Sequence, residues 1–198
     1  FTKVTEKTKL YPSSVYGRTK LKCEKLIQLF CKKNKINYGI LRYFNVAGAS
    51  TSGKLGQINK GDQLFKNLSA EVQKKNPTFR VYGANYKTKD GTCIRDYIHV
   101  SDISDIHHKV LLKIDKHNIS TVLNCGYGKG ISVNDVIKKF KKYANKNLKI
   151  IEFPNRKGDM IKVIGDNLKL RRFIKWKPKF NNLSKIVKSC ILWEKKNR

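Results

Sequence analysis

Apolar positions along the chain follow two rhythms, one of helices and one of short strands. Within residues 12–35, Tyr16, Lys20, Cys23, Ile27 and Phe30 recur at helical spacing and share one face. Pro12 suits a first helical turn, because its fixed φ is already helical and its missing N–H has no partner to lose there. A Lys-Lys-Asn-Lys run closes the segment, with cations at the negative end of the helix dipole. Residues 38–43 are short and apolar and read as a buried strand. Residues 44–62 are rich in Gly, Ser and Asn and read as a long loop, a kind of connection that tends to carry function. A helix over 63–75 is expected to close at Asn76-Pro77. Next come a strand over 78–82, a polar turn region over 83–92 and an extended stretch over 94–100. Ser101 is the expected N-cap of a helix reaching Leu112. After a strand over 121–125, Ser132 is the expected cap of a helix to Tyr143, with Val133, Val136, Ile137 and Phe140 on one side. A strand over 148–153, a short helix opening at Asp166-Asn167 and ending near Ile174, and an amphipathic helix over 183–195 complete the series. Helices alternating with short strands give an α/β fold class; residues 1–10 read as a loop.

With 198 residues the chain is long enough to bury a core of its own. Its net charge of +30 raises the question of nucleic acid. The charge is spread along the whole length, however, and 36 lysines outnumber 8 arginines, the better bidentate readers of phosphates and bases. Dedicated nucleic-acid binding is therefore not expected, only the weak attraction to polyanions that any such surface has. Five cysteines form no Cys-x-x-Cys pair and have no His at metal spacing, which suits reduced thiols in a cytoplasmic protein. His107-His108 begins no metal motif. Asp102 and Asp105 are expected in the first turn of a helix, where they complement its dipole, and with Asp96 they do not read as a metal set. No apolar run is long enough to span a bilayer, and no membrane association is expected. No Gly-x-x-Gly-x-x-Gly follows a strand; Gly126-Tyr127-Gly128-Lys129-Gly130 has the wrong spacing.

Helical spacing places Lys20 one turn from Tyr16, an ammonium beside a phenol. A neighbouring cation favours the phenolate, so Tyr16 is the candidate general acid/base. In a lysine-rich chain such a pair also arises by chance, and its surroundings decide. These are Ser14-Val15-Tyr16-Gly17-Arg18-Thr19-Lys20, Leu41-Arg42-Tyr43-Phe44-Asn45-Val46-Ala47-Gly48-Ala49, and Asp90-Gly91-Thr92-Cys93-Ile94-Arg95-Asp96-Tyr97-Ile98-His99-Val100. Asn124-Cys125-Gly126-Tyr127-Gly128 and Arg156-Lys157-Gly158-Asp159 follow. In order and spacing these stretches resemble the extended short-chain dehydrogenase/reductase family, and within it the UDP-glucose 4-epimerases.

The resemblance implies interconversion of UDP-glucose and UDP-galactose by NAD-mediated oxidation and reduction at sugar C4. Tyr16 and Lys20 would be catalytic and, with Phe44, would touch the cofactor. Asn45, Gln63, Leu64, Arg80, Val81, Tyr82, Arg95, Arg156, Asp159 and Val163 would bind the sugar nucleotide. Arg95 and Arg156 would take the pyrophosphate, a role suited to the planar guanidinium fork; Tyr82 would stack on uracil and Asp159 would accept from a ribose hydroxyl. Val163 matches a position that limits sugar size, so its modest bulk leaves room for N-acetylated sugars. Lys66 departs from a frequent proline with little consequence.

The resemblance also implies the C-terminal part of a doubly wound NAD-binding, Rossmann-like domain plus a smaller mixed α/β substrate domain. Residues 1–48, with 84–108 and part of 120–145, would belong to the first; 49–83 and 146–198 would form the second. The glycine-rich pyrophosphate turn and a catalytic Ser/Thr are expected upstream of Phe1, so the chain reads as a C-terminal fragment, inactive alone, of a homodimeric enzyme. The alternatives are another NAD-dependent sugar-nucleotide epimerase or dehydratase of the same family, or an inactive remnant or basic polyanion-binding module.

Overall fold

A computed structural model describes residues 3–59, 61, 63–156 and 158–197. Phe1, Thr2, Lys60, Asp62, Lys157 and Arg198, which fall in the expected N-terminal loop, the 44–62 loop, the Arg156–Asp159 stretch and the C-terminal end, lie outside the described residues. In chain order the elements are α1 (Val15–Asn34), β1 (Gly39–Tyr43), β2 (Asn45–Ala47), α2 (Leu64–Glu71), β3 (Thr78–Tyr82), β4 (Ile94–His99) and α3 (Val100–His117). They continue with β5 (Thr121–Cys125), β6 (Gly130–Ser132), α4 (Val133–Ala144), β7 (Lys149–Phe153), β8 (Lys162–Val163), α5 (Leu168–Ile174) and α6 (Leu183–Lys196).

The α/β class holds, and most of the pairing is parallel. β1 pairs with β5 from Gly39↔Thr121 to Tyr43↔Cys125, and β3 pairs with β7 from Thr78↔Lys149 to Tyr82↔Phe153. β4 is the hub of the third sheet, parallel to β2 and β8 and antiparallel to β6. Two apolar clusters flank it. One gathers Leu68 of α2, Val136 and Phe140 of α4, and Ile186 and Val187 of α6 around Tyr97. The other packs Ile106 and Val110 of α3, Leu123 of β5, Leu170 of α5 and Trp176 around Ile98. Adjacent residues Tyr97 and Ile98 thus point to opposite faces, as alternation along a strand requires, and β4 joins the two cores.

Several boundaries differ from the sequence reading. Pro12 does not enter α1: Ser14 is the N-cap, its Oγ accepting from Gly17 N at 3.0 Å, and this side-chain bond outweighs the first-turn preference of proline. Ser101 is not the cap of α3. His99 takes that place, its Nδ1 accepting from Ser101 N at 3.0 Å. The helix runs past Leu112 to His117 because Ile114 still reaches the core, and it stops at Asn118 in the left-handed region. α2 ends early at Glu71, whose carboxylate turns to accept from Thr78 N at 2.8 Å and ties the helix to β3. The expected long loop contains β2.

Asp102 does lie in the first turn of α3, buried, whereas Asp105 lies beyond it and pairs with Lys109 at 2.8 Å. Cys31, Cys93, Cys125 and Cys190 are buried, Cys23 is exposed, and all five are free thiols. Among the described residues no cluster of three or more His, Cys, Asp or Glu side chains is arranged to hold a metal ion, and no helix is long and apolar enough to cross a membrane.

Candidate active site

The chain leaves β1 at its C-terminal end with Phe44-Asn45, the position where parallel sheets open towards ligands. The ring of Phe44 packs where two glycines make way for it. A Cβ on Gly126 would come within 3.1 Å of the ring and one on Gly165 within 2.3 Å. Beneath it Asp96 is fully buried and holds three segments together. Its Oδ1 accepts from Tyr127 N at 2.9 Å, and its Oδ2 accepts from Gly128 N at 2.9 Å and Gly165 N at 3.3 Å. Burial pushes the Asp96 carboxyl above its ordinary range, and the three N–H bonds pull against that shift. Asp96 is therefore an anchor. Asn45 donates its Nδ2 hydrogen to the backbone oxygen of Asp96 at 3.3 Å, which fixes its amide plane.

A second anchor tightens the same end of β4. The Tyr127 hydroxyl donates to Asp102 Oδ2 at 2.5 Å and accepts from His99 N at 3.2 Å. Asp102 also accepts from Lys179 N and Phe180 N, both at 3.0 Å, and so pins the segment after Trp176. Burial, then the bond to Asp102, pushes the Tyr127 phenol up, in keeping with its role as a donor to Asp102.

Tyr16, Phe44, Asn45, Gln63, Leu64, Arg80, Val81, Tyr82, Arg95, Arg156 and Asp159 all line one cleft of about 1040 Å³. Ten of these come from segments far apart in sequence from the Tyr16 helix, so the fold brings together nearly all of the residues singled out by motif. Lys20 is not in the lining; its Nζ lies 5.5 Å from the centre of the Tyr16 ring. Val163 is also outside the lining, in β8 and in register with Arg95. Gln63 stands at the N-cap of α2 without spending its side chain on a capping bond. Along β3, Arg80 and Tyr82 share the exposed side and Val81 is buried on the other.

The charged groups at this end of the cleft engage one another. Arg95 reaches Asp159 at 3.6 Å and also donates to its neighbour's carbonyl, Ile94 O, at 3.0 Å. The Arg156 guanidinium lies over the Tyr82 ring, 4.3 Å from its centre, and the Arg80 guanidinium lies 5.4 Å from the Phe153 ring. Tyr82 and Phe153 are in tilted contact at 5.3 Å.

Some site residues had escaped the sequence reading. Cys93, Tyr97, Glu71 and Lys74 also line the cleft. The Tyr86 hydroxyl is buried with no hydrogen-bond partner among the described residues. Burial, then the charge of Asp159 and Cys93, pushes its phenol up, against Arg95 and Arg156. A signal existed for Tyr86, since it is the sole aromatic in the polar stretch 83–92 and so needs something to pack against. Its ring lies against Gly83, where a Cβ would meet it at 2.3 Å.

Similarities to known proteins follow the same lines. A UDP-glucose 4-epimerase of Azospirillum brasilense is 34% identical over 193 residues, covering 97% of this chain and 56% of that protein. The structure of a UDP-glucose-4-epimerase from Stenotrophomonas maltophila, with bound NAD and formylated UDP-arabinopyranose, superposes with a TM-score of 0.92 at 30% identity, over 98% of this chain and 58% of that one. The UDP-Glc/GlcNAc 4-epimerase of Campylobacter jejuni gives 0.79 at 41% identity, over 98% and 59%. The chain thus spans a little over half the length of these relatives, in the Rossmann-like α/β fold they share. The model of the NAD dependent epimerase/dehydratase family matches residues 1–126, and the chain belongs to that family.

Proposed function

We propose that the intact protein is a UDP-glucose 4-epimerase, with UDP-glucose and UDP-galactose as its substrate pair. The observation that supports this best is the sharing of one cleft by Tyr16, Phe44 and Asn45 on one side and Arg95, Arg156, Asp159 and Tyr82 on the other. A proton-transfer group and a phosphate- and base-binding group lie within one ligand's reach of each other.

Tyr16, Lys20 and Phe44 fit the nicotinamide end of NAD: two face the cleft and the third offers an ammonium one helical turn from the phenol. When bound, NAD supplies the oxidising and reducing capacity at sugar C4. Tyr16 takes the proton of the 4-hydroxyl and returns it after the sugar has turned in the site. Lys20 supplies positive charge to the developing phenolate and would hold ribose hydroxyls. Phe44, packed against Gly126 and Gly165, would flank the nicotinamide. Asn45, fixed by its bond to Asp96, and Gln63, not used for capping, would donate to the nucleotide, with Leu64 beside them. Arg95 and Arg156 would take the pyrophosphate, Asp159 a ribose hydroxyl, and Arg80, Val81 and Tyr82 would cradle uracil.

The division into a dinucleotide lobe (1–48, 84–108 and part of 120–145) and a UDP-sugar lobe (49–83 and 146–198) is part of the proposal, as are a homodimeric assembly and a cytoplasmic location. Val163, beside Arg95, would set sugar breadth, and its small bulk supports turnover of UDP-N-acetylglucosamine; no turnover of that sugar would remove the idea. The experiment is conversion of UDP-galactose by the intact protein with NAD, resolved by chromatography. UDP-glucose as the product supports the proposal. A dehydrated 4-keto sugar would place the protein among the dehydratases, and loss of neither substrate would make the chain a remnant.

A further inference from the structure

Tyr82 offers an aromatic face on the cleft, and in this structure an arginine covers that face. The Arg156 guanidinium lies 4.3 Å from the ring centre, well within the range of a cation–π contact. A guanidinium is planar and stacks as a base does, so the two compete for the same face. Arg95, which also lines the cleft, is paired with Asp159 at 3.6 Å. Both arginines are thus engaged with groups that would receive the base and the ribose.

We propose that Arg156 is a specificity-determining placeholder: it covers the Tyr82 face until a phosphate draws it away, so that the cleft favours nucleoside diphosphates over free nucleosides. This rests on the reading of the cleft as a UDP-sugar site. A nucleoside alone must displace Arg156 and gives the guanidinium nothing in return. A nucleoside diphosphate displaces it and accepts it at once, through charge-assisted hydrogen bonds that are stronger than the stacking of Arg156 on Tyr82. Base stacking and phosphate capture then favour one another. Arg95 follows the same exchange, moving from Asp159 to the phosphates as Asp159 turns to the ribose.

The test is a titration of the intact protein and its Arg156→Ala variant with uridine, UMP and UDP, followed by NMR. Arg156 is exposed, and a thermal melt of the variant serves as the check on folding. The two ends of the series are expected to move in opposite directions. Uridine binds about two- to fivefold more tightly to Arg156→Ala, the range of an exposed cation–π contact released. UDP binds more weakly by about tenfold or more, the loss of a charged hydrogen bond. Arg156→Lys, which keeps the charge and loses the planar fork, gains part of the uridine affinity and keeps part of the UDP affinity. If UDP weakens and uridine does not gain, the placeholder is overturned while the cleft reading stands. If UDP binding is unchanged in Arg156→Ala, the cleft reading fails and takes the placeholder with it.

Discussion

Helix α1 and the wall built from α2, β3, β4 and β7 meet at the same cleft and are held in opposite ways. In the wall, Leu68 and Val81 are buried, Glu71 bonds to Thr78 N, and Phe65 packs edge-on against both Tyr97 and Phe140 at 5.0 and 5.7 Å. Twenty residues long, α1 buries only Cys31. Its Leu29 and Phe30 are 66% and 62% exposed, and Tyr16 itself is 72% exposed. Among the described residues, the bidentate pair of Arg42 with Glu24 at 2.8 and 2.9 Å ties it from the side. On the proposed reading, the nucleotide-binding wall is held by this chain's own packing, whereas the Tyr16 helix is held in this chain by an ion pair, a buried thiol and its helix cap. That reading makes binding and chemistry separable.

The sharpest way to expose that separation is Tyr16→Phe in the intact protein. It removes the proposed acid/base and touches no core, so turnover is expected to fall by about 10²–10⁴-fold while UDP affinity stays within twofold, roughly the noise of such a titration. A matching loss of UDP affinity would break the contrast. Phe140→Ala strikes the other region. It empties the centre of the wall's core and is expected to cost about 3–5 kcal/mol of unfolding free energy, read from denaturant melts. A cost under about 1 kcal/mol would mean that the wall is not the stable unit.

Asp90 links the wall to β6 and titrates in a direction that can be checked. Burial pushes its carboxyl up, but hydrogen bonds from Ser132 at 2.5 Å and Thr92 at 2.7 and 3.0 Å outweigh it and hold the group below its ordinary range. The folded value lies below the unfolded one, so its stabilising contribution is full above the unfolded pKa and is lost as pH falls through the folded value. Asp90→Asn is expected to cost about 1–3 kcal/mol at neutral pH and to flatten the acid limb of the stability profile; an unchanged limb would remove Asp90 from the account. The smallest effect belongs to α1. Leu29→Ser in this chain is expected to change stability by no more than about 0.5 kcal/mol. A larger loss would show that the α1 face is packed after all.

Legibility in the sequence followed the range of the physics involved. Ser132 caps α4 by a bond to Asp135 N three residues on. Asn167 at the start of α5 and the five-residue strands β3 and β5 carry a local pattern that the chain shows, although β3 and β5 pair with the distant β7 and β1. β2, β6 and β8 are two or three residues long and exist through pairing with β4, so no local rhythm marks them. His99 caps α3 by a ring nitrogen, a role that serine at 101 was expected to fill from propensity alone. At the site, what the motifs made legible is the set of residues that share the cleft, since residue type and spacing mark them; their roles belong to the proposal. The state of the site was not: the engagement of Arg156 with Tyr82, of Arg95 with Asp159, and the burial of the Tyr86 hydroxyl arise between segments separated by tens of residues.

The central claim is that one cleft joins the Tyr16 phenol to a UDP-binding wall. It is tested most directly by incubating the intact protein with NAD and UDP-galactose and following UDP-glucose by proton NMR, for the native sequence and for Tyr16→Phe side by side. The account predicts an equilibrium mixture of the two sugars from the native protein, and from Tyr16→Phe a preparation that still binds UDP and forms almost none. Equal turnover by both proteins would contradict it.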